Sequence, residues 1–333
     1  MRALVSQASG GPETLVVGTL PEPTAGAGEL LLAVHAAAVN FPDTLIIEDK
    51  YQIRPPRPFA PGGEVAGVVL AVGEGVTGWA PGDRAFGLTT SGGMAERVAL
   101  PAINVFHLPD GRSFVEGAAL VFTYGTVMHA LIDRGRIAAG DTLLVLGAAG
   151  GIGLAAIEIG KLLGARVVAA VSSEEKAAAA RKAGADETLI YPHGPFDKAQ
   201  SKALAEQFKA ACGKDGANVV LDPVGGGYAE PALRAIAWEG RYLVVGFPAG
   251  IPLLPLNLTL LKSCDVCGVF WGAFAARDPA ANKVHVDRLI GWWNEDRIAP
   301  VVSEVFPLAR GGEAIARLAA RGAIGKLVID VTA

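Results

Sequence analysis

DTLLVLGAAGGIGLAAIEIGKLLGARVVAAVSSEEK, residues 141–176, is the stretch that decides the fold. An apolar run at 142–146 leads into a glycine-rich turn at 147–153, which is followed by a helical pattern to about Leu163. A second apolar run then covers 166–171. This order predicts a buried strand, a tight turn, a helix and a parallel second strand.

The turn has the composition of a dinucleotide-binding loop. Ala148, Gly150 and Gly153 occupy its three small-residue positions, where missing side chains allow a tight turn and close approach of a pyrophosphate. The helix then begins with Gly151 and Ile152, whose backbone N–H groups are free to bind phosphate. The alternative is a glycine-rich turn in some other α/β protein, but the flanking strands and helix favour the nucleotide site.

The end of the second strand indicates which dinucleotide binds. A site for NAD places a carboxylate there, whereas this chain has Ser172. Lys176 follows and supplies a positive charge suited to the extra phosphate of NADPH. Glu174 and Glu175 oppose that charge, although both are also typical of a helix N-terminus. The pattern favours NADPH as the cofactor.

Composition excludes several other classes of protein. The chain has 333 residues, 51% of them hydrophobic, with 43 glycines and a net charge of −4. No basic block suggests a nucleic-acid partner, and three prolines interrupt the longest uncharged run, 242–261, which argues against a membrane span. Three cysteines without framework spacing indicate a reducing compartment, and we expect the cytoplasm.

The order of the predicted elements gives two domains and an α/β fold class. Strands and helices alternate over 119–267, which predicts a doubly wound parallel Rossmann sheet. Short strands between Gly and Pro turns over 1–118 predict a β-rich domain, to which we assign 268–333 as a returning segment. Ser113 and Glu116 form the pattern of a capping box close to the boundary between the strand-rich and the alternating segments.

Several motifs resemble one family over nearly the whole chain. They are NFPD at 40–43, PFAPGGEVAGVV at 58–69, GDRAFG at 82–87 and RGAIGKLV at 321–328. With the central turn, they resemble the zinc-independent NADPH:quinone oxidoreductases of the zeta-crystallin type, within the medium-chain dehydrogenase/reductase superfamily. The resemblance implies a GroES-like β-rich catalytic domain and an enzyme that transfers a hydride from NADPH to quinones.

The metal ligands of zinc-dependent relatives are missing. Those enzymes carry a cysteine near Asn40 and a histidine at the position of Gly63. Cys264 and Cys267 form a CxxC, but Cys212 is the only other thiol, so a four-thiolate site is impossible. The sequence therefore predicts no metal site.

The resemblance also implies site residues. Asn40, Asp43 and Tyr51 would line the acceptor side, with Asn40 donating an amide hydrogen and Tyr51 a proton, and Tyr124 would face the nicotinamide. Ordinary structural roles compete with these: a turn around Pro42, loop packing by Tyr51 and helix packing by Tyr124. The implied cofactor contacts beyond Ser172 and Lys176 are Tyr191, Gly246, Phe247, Phe270, Trp271 and Arg321.

Three functions stay open at this point. The first is an NADPH:quinone reductase, and the second is an NADPH-dependent C=C reductase of α,β-unsaturated carbonyls or enoyl or acryloyl thioesters, which Tyr51 would serve. The third is a catalytically silent NADPH-binding protein. The small-molecule acceptor is thus a quinone or an enone. An uncharged edge strand at 266–271 further predicts a homodimer.

Overall fold

A computed structural model describes all residues, 1–333. The strands, in chain order, are β1 (Arg2–Val5), β2 (Val16–Thr19), β3 (Glu29–Val39), β4 (Glu64–Val72), β5 (Arg84–Leu88), β6 (Arg97–Pro101), β7 (Val105–His107), β8 (Thr142–Leu146), β9 (Arg166–Val171), β10 (Glu187–Ile190), β11 (Ala217–Asp222), β12 (Ile236–Val244), β13 (Asp265–Gly268), β14 (Val302–Pro307) and β15 (Lys326–Asp330). The α-helices are α1 (Phe41–Ile46), α2 (Phe114–Gly117), α3 (Val121–Met128), α4 (Gly151–Leu162), α5 (Glu174–Lys182), α6 (Lys198–Cys212), α7 (Ala229–Arg234), α8 (Asn257–Lys262), α9 (Trp271–Arg277), α10 (Pro279–Asn294) and α11 (Gly311–Ala319).

The chain divides into two compact units. The first consists of Met1–Phe122 and Ala299–Ala333, and the second is Thr123–Ile298. The second unit therefore continues past residue 267, where we expected it to end. The reason is packing against the helical stretch that opens this unit. From α9, Trp271 contacts Gly125 and the ring of Phe274 stacks on His129, and from α10, His285 Nε2 lies 3.5 Å from Asp133 Oδ1.

The second unit contains a six-stranded parallel sheet in the order β10-β9-β8-β11-β12-β13. Numbered from β8, this is the order 3-2-1-4-5-6 of a Rossmann fold, so the predicted fold class is confirmed. The direction of winding reverses between β8 and β11, and such sheets bind ligands beyond the carboxyl ends of the strands at that point. The glycine turn after β8 lies there.

The edge of this sheet is β13, as predicted, but it is shorter than expected. It ends at Gly268, and Trp271 begins α9 instead of continuing the strand. Trp271 is buried and its indole N–H donates to Asn282 Oδ1 at 2.9 Å. That internal contact turns the chain into the helix.

The first unit is built on a mainly antiparallel seven-stranded sheet. Its order is β14-β15-β3-β4-β5-β7, with β6 also paired to β3. The strand β3 is the centre: it pairs with β15 and β4 and contributes alternate residues to the core, among them Leu30, Leu32 and Val34. Ser113 caps α2 and bonds reciprocally with Glu116, which confirms the predicted capping box.

One helical stretch, Phe114–Arg134, is long and apolar enough by length and composition to cross a membrane. However, 78% of its most apolar window is buried inside the protein. Burial of this kind is what the core helix of a globular protein shows, so the stretch is weak evidence for a span.

Candidate active site

The glycine turn of the second unit has the geometry of a phosphate cradle. Gly147 leaves β8 with a φ of +57°, and Gly150 is the extended N-cap of α4. A Cβ on Gly153 would lie 2.5 Å from the backbone of Ala148, so only glycine permits this contact. Leu154 makes the first helical bond, to the Gly150 carbonyl, which leaves the preceding first-turn N–H groups for a ligand.

A small pocket of about 40 Å³ lies beside this turn. It brings together the turn and the residues predicted to select NADPH. Lys176 Nζ lies 3.3 Å from Ser172 Oγ within it. The residues that line it are Gly147, Ala149, Gly150, Val171, Ser172, Lys176 and Tyr191.

Of the two acidic residues that follow Ser173, Glu174 is paired away from the pocket and Glu175 is exposed. Glu174 pairs with Arg181 on the outer face of α5. Ser173 accepts a hydrogen bond from the Lys176 backbone and so caps the same helix. The helix start is thus satisfied by Ser173, while Ser172 and Lys176 line the pocket.

The other predicted cofactor residues are in three places. Gly246 and Phe247 follow β12, and Phe270 follows β13, all beyond carboxyl ends of strands in the second unit. Phe247 and Phe270 are exposed, whereas Trp271 is directed into the protein. Arg321 belongs to the first unit, in the loop after α11, with a φ of +59°.

Tyr124 lies on α3 and is buried. Its hydroxyl donates to Glu158 Oε2 on α4 at 2.6 Å. Burial, followed by the charge of Glu158, raises the pKa of Tyr124 well above its usual value. The phenol therefore stays protonated and bonded to Glu158, a residue that sequence reasoning missed although it is the only charged side chain in the apolar run from Gly151 to Gly160.

In the first unit, Asn40 and Asp43 are both buried at the start of α1. Asp43 Oδ2 accepts from the Asn40 backbone N–H at 2.7 Å, and Oδ1 accepts from the Gly62 N–H at 3.0 Å. Burial raises the pKa of Asp43 to about 6, although these hydrogen bonds and the charge of Lys326 oppose the shift. Asp43 thus fixes the backbone of Asn40.

The side chain of Asn40 contacts a buried ion pair that the sequence did not reveal. Lys326 Nζ lies 3.0 Å from Glu64 Oε2 and 2.5 Å from Asn40 Oδ1, and Asn40 Nδ2 lies 3.1 Å from the same Glu64 oxygen. Because β15 and β4 flank β3, the sheet brings residues 326 and 64 together from distant parts of the chain. The sequence did contain one signal for this pair: Glu64 and Lys326 are charged residues at the first positions of the apolar strands β4 and β15, and charged residues are rarely buried unless paired.

Tyr51 lies in the loop after α1 and is partly buried. Burial and then the nearby charge of Asp43 raise the pKa of its phenol. Tyr51 therefore keeps its proton at neutral pH. It belongs to the same unit as Asn40 and Asp43.

The residues do not fit a metal. No group of three or more His, Cys, Asp or Glu side chains is placed to hold one. At the place where zinc-dependent relatives have a cysteine ligand, Asn40 instead bonds the ammonium of Lys326, which would repel a second cation. Cys212, Cys264 and Cys267 are all free thiols, and burial raises the pKa of Cys212 to about 12.

A Rossmann unit with a phosphate cradle, next in sequence to a β-rich unit with a buried polar cluster, defines the two-domain architecture of the medium-chain dehydrogenases and reductases. Two family models match accordingly: the alcohol dehydrogenase GroES-like domain over residues 26–110 and the zinc-binding dehydrogenase domain over residues 151–284. A quinone oxidoreductase-like protein 2 homolog of Nematostella vectensis is 35% identical over 309 residues, which are 92% of this chain and 82% of that one.

Solved structures agree with this assignment. A mycobacterial protein in complex with NADPH superposes with a TM-score of 0.90 at 30% identity, covering 99% of each chain. The quinone oxidoreductase of Escherichia coli, also in complex with NADPH, gives a TM-score of 0.89 at 26% identity over 99% of this chain and 100% of that one. The chain belongs to the quinone oxidoreductase family of the medium-chain dehydrogenase/reductase superfamily.

Proposed function

We propose that this protein is an NADPH-dependent oxidoreductase that transfers a hydride to quinones. Bound NADPH supplies the hydride, so the chain has to bind the cofactor, orient the acceptor and balance the charge that develops on it. The observation that carries the cofactor assignment is the pocket of Ser172 and Lys176 beside the glycine turn. It offers a hydroxyl and an ammonium to a 2′-phosphate, where a carboxylate would select NAD.

The acceptor is a carbonyl compound that gains negative charge on oxygen. A quinone is such a compound, and hydrogen-bond donors in a site shielded from water stabilise the developing charge. Asn40 supports this role because its amide is buried and its orientation is fixed by Glu64 and Lys326. We assign it as the donor to the acceptor oxygen, and no metal is needed for the step.

A second candidate function is reduction of a C=C bond conjugated to a carbonyl or thioester. Tyr51 favours it, because reduction of such a bond needs a proton as well as a hydride. A phenol held protonated near Asp43 is suited to that task. Quinone reduction also takes up a proton, but on an oxygen of the hydroquinone anion, which water can supply, so Tyr51 separates the two functions.

The test compares the rates of purified wild-type protein and a Tyr51→Phe variant. The acceptors are an ortho-quinone, a para-quinone and crotonyl-coenzyme A, each with saturating NADPH. Quinone turnover that survives Tyr51→Phe supports the proposal. Thioester turnover that Tyr51→Phe abolishes, with negligible quinone turnover, supports the second function, and no turnover of any acceptor indicates a silent NADPH-binding protein.

The protein acts as a homodimer in this proposal, formed through β13. Val266 on this edge strand is exposed, and so are two residues that precede it in the sequence, Leu256 at the N-cap of α8 and Leu260 on α8. An open strand edge with apolar neighbours is suited to pairing with its own copy. Light scattering of wild type and Val266→Lys tests this, since a dimer formed there should dissociate in the variant.

The three free cysteines also suit the reducing cytoplasm as the location of the protein.

A further inference from the structure

The orientation of an asparagine amide is ordinarily ambiguous, because its oxygen and nitrogen ends have the same shape. In this protein the neighbours of Asn40 remove the ambiguity. An ammonium has only donors, so the atom 2.5 Å from Lys326 Nζ has to be the oxygen. The carboxylate of Glu64, paired with that ammonium at 3.0 Å, accepts, so the atom 3.1 Å from it has to be the nitrogen.

This arrangement leaves one donor available. The amide nitrogen carries two N–H groups, and Glu64 takes one of them. The remaining N–H has no hydrogen-bond acceptor in the structure, although Asn40 is only 5% exposed. A reversed amide would present a carbonyl oxygen instead, which would repel the negative oxygen that hydride transfer creates.

Burying the ion pair of Lys326 and Glu64 costs desolvation free energy. The side chains of Lys326 and Glu64 are 5% and 1% exposed, and two charges so deeply buried gain little net stability over apolar residues of similar size. Glu64 Oε1 accepts a further hydrogen bond from the Phe122 backbone N–H at 2.8 Å. Both carboxylate oxygens of Glu64 therefore accept hydrogen bonds: Oε1 from Phe122, and Oε2 from Lys326 and Asn40.

From these contacts we infer that Lys326 and Glu64 are positioning residues that hold the Asn40 amide as a hydrogen-bond donor to the carbonyl oxygen of the acceptor. The inference rests on the proposed function and deepens it. It defines the acceptor as a compound with a hydrogen-bond-accepting carbonyl at the reacting end. It also assigns a role in turnover to two residues that do not touch the acceptor.

A kinetic double-mutant cycle tests the inference, with Asn40→Ala, Lys326→Met and the double variant assayed on one para-quinone. Asn40→Ala should lower kcat about 10–100-fold, the usual loss of one oxyanion donor or somewhat less. Lys326→Met should lower kcat at least about 5-fold in the wild-type background. In the Asn40→Ala background it should cause no further loss, because Lys326 acts only through the amide.

The controls distinguish a loss of Asn40 orientation from general damage to the fold. The Kd for NADPH, measured by fluorescence titration, should change less than about 3-fold in every variant, since the phosphate cradle is in the other unit. Lys283→Met removes an exposed lysine paired with Asp287 and should leave kcat unchanged. If Lys326→Met does not fold, Lys326→Gln takes its place in the cycle, because its amide carries an acceptor as well as donors and so no longer requires the oxygen end of Asn40 to face it.

The possible outcomes distinguish failure of the positioning role from failure of the proposed function. Losses in kcat that multiply in the double variant overturn the positioning role but leave the proposed function intact. An unchanged kcat in Asn40→Ala overturns both the donor role and the inference. Absence of quinone turnover by the wild type overturns the proposed function, and the inference falls with it.

Discussion

The ammonium of Lys176 lies 3.3 Å from the hydroxyl oxygen of Ser172, just beyond the end of β9. We expect Ser172→Asp to reverse the cofactor preference, because a carboxylate repels the 2′-phosphate and accepts hydrogen bonds from the ribose of NADH. The kcat/KM for NADPH should fall about 10–100-fold, and that for NADH should hold or rise. Steady-state rates with one quinone and both cofactors measure this.

The matched variants lie on α5. Lys176→Met should lower the kcat/KM for NADPH without raising that for NADH, because it removes a positive charge and adds no acceptor for the ribose hydroxyls. Lys182→Met, an exposed lysine on the same helix, should change neither value. An unchanged preference in both Ser172→Asp and Lys176→Met would show that the phosphate binds elsewhere.

Asp43 should make the stability of the protein depend on pH. Burial raises its pKa from 3.8 to about 6, so the folded state holds a proton that the unfolded state has released. Stability should therefore fall as pH rises from about 4 to about 6 and remain lower above that. Between pH 5 and pH 7.5, the free energy of unfolding of wild type should fall by about 1–2 kcal/mol relative to Asp43→Asn, which cannot titrate.

Urea unfolding at both pH values gives this difference. Asp287→Asn changes an exposed carboxylate and serves as the control for the general effect of pH. Wild type and Asp43→Asn that lose stability in parallel would contradict the raised pKa.

The hydrogen bond from Tyr124 to Glu158 should contribute to stability. Tyr124→Phe removes a donor from a carboxylate, and we expect a loss of about 1–3 kcal/mol in the free energy of unfolding. Glu158→Gln keeps an acceptor for the phenol and should cost less. A Tyr124→Phe variant as stable as wild type would show that the bond contributes nothing.

Metal removal should leave activity unchanged. No cluster of ligands exists, and the ammonium of Lys326 lies beside Asn40. Dialysis against EDTA followed by assay with NADPH and a quinone should therefore return the full rate. A loss that added zinc restores would contradict this expectation.

The sequence predicted the Rossmann unit well because its information is local. A strand, a glycine turn and a helix occur within 141–176, and β8 and β9 have the predicted bounds. Local pattern also placed Ser172 and Lys176 together, four residues apart across the start of α5.

What the sequence did not predict depends on contacts between distant residues. Glu64 and Lys326 are 262 residues apart, and only the pairing of β4 and β15 with β3 brings them to Asn40. The same is true of the second unit's extension past residue 267, since helix packing on α3 follows no local signal. Tyr124 and Glu158 likewise meet only because their helices pack.

The measurement that tests the central claim most directly is the ratio of kcat/KM for NADPH to that for NADH, with one para-quinone and wild-type protein. We predict quinone-dependent oxidation of NADPH at a kcat/KM at least about 10-fold above that for NADH, which corresponds to about 1.4 kcal/mol from the interactions of one phosphate. Equal values for the two cofactors, or no oxidation that depends on the quinone, would contradict the account.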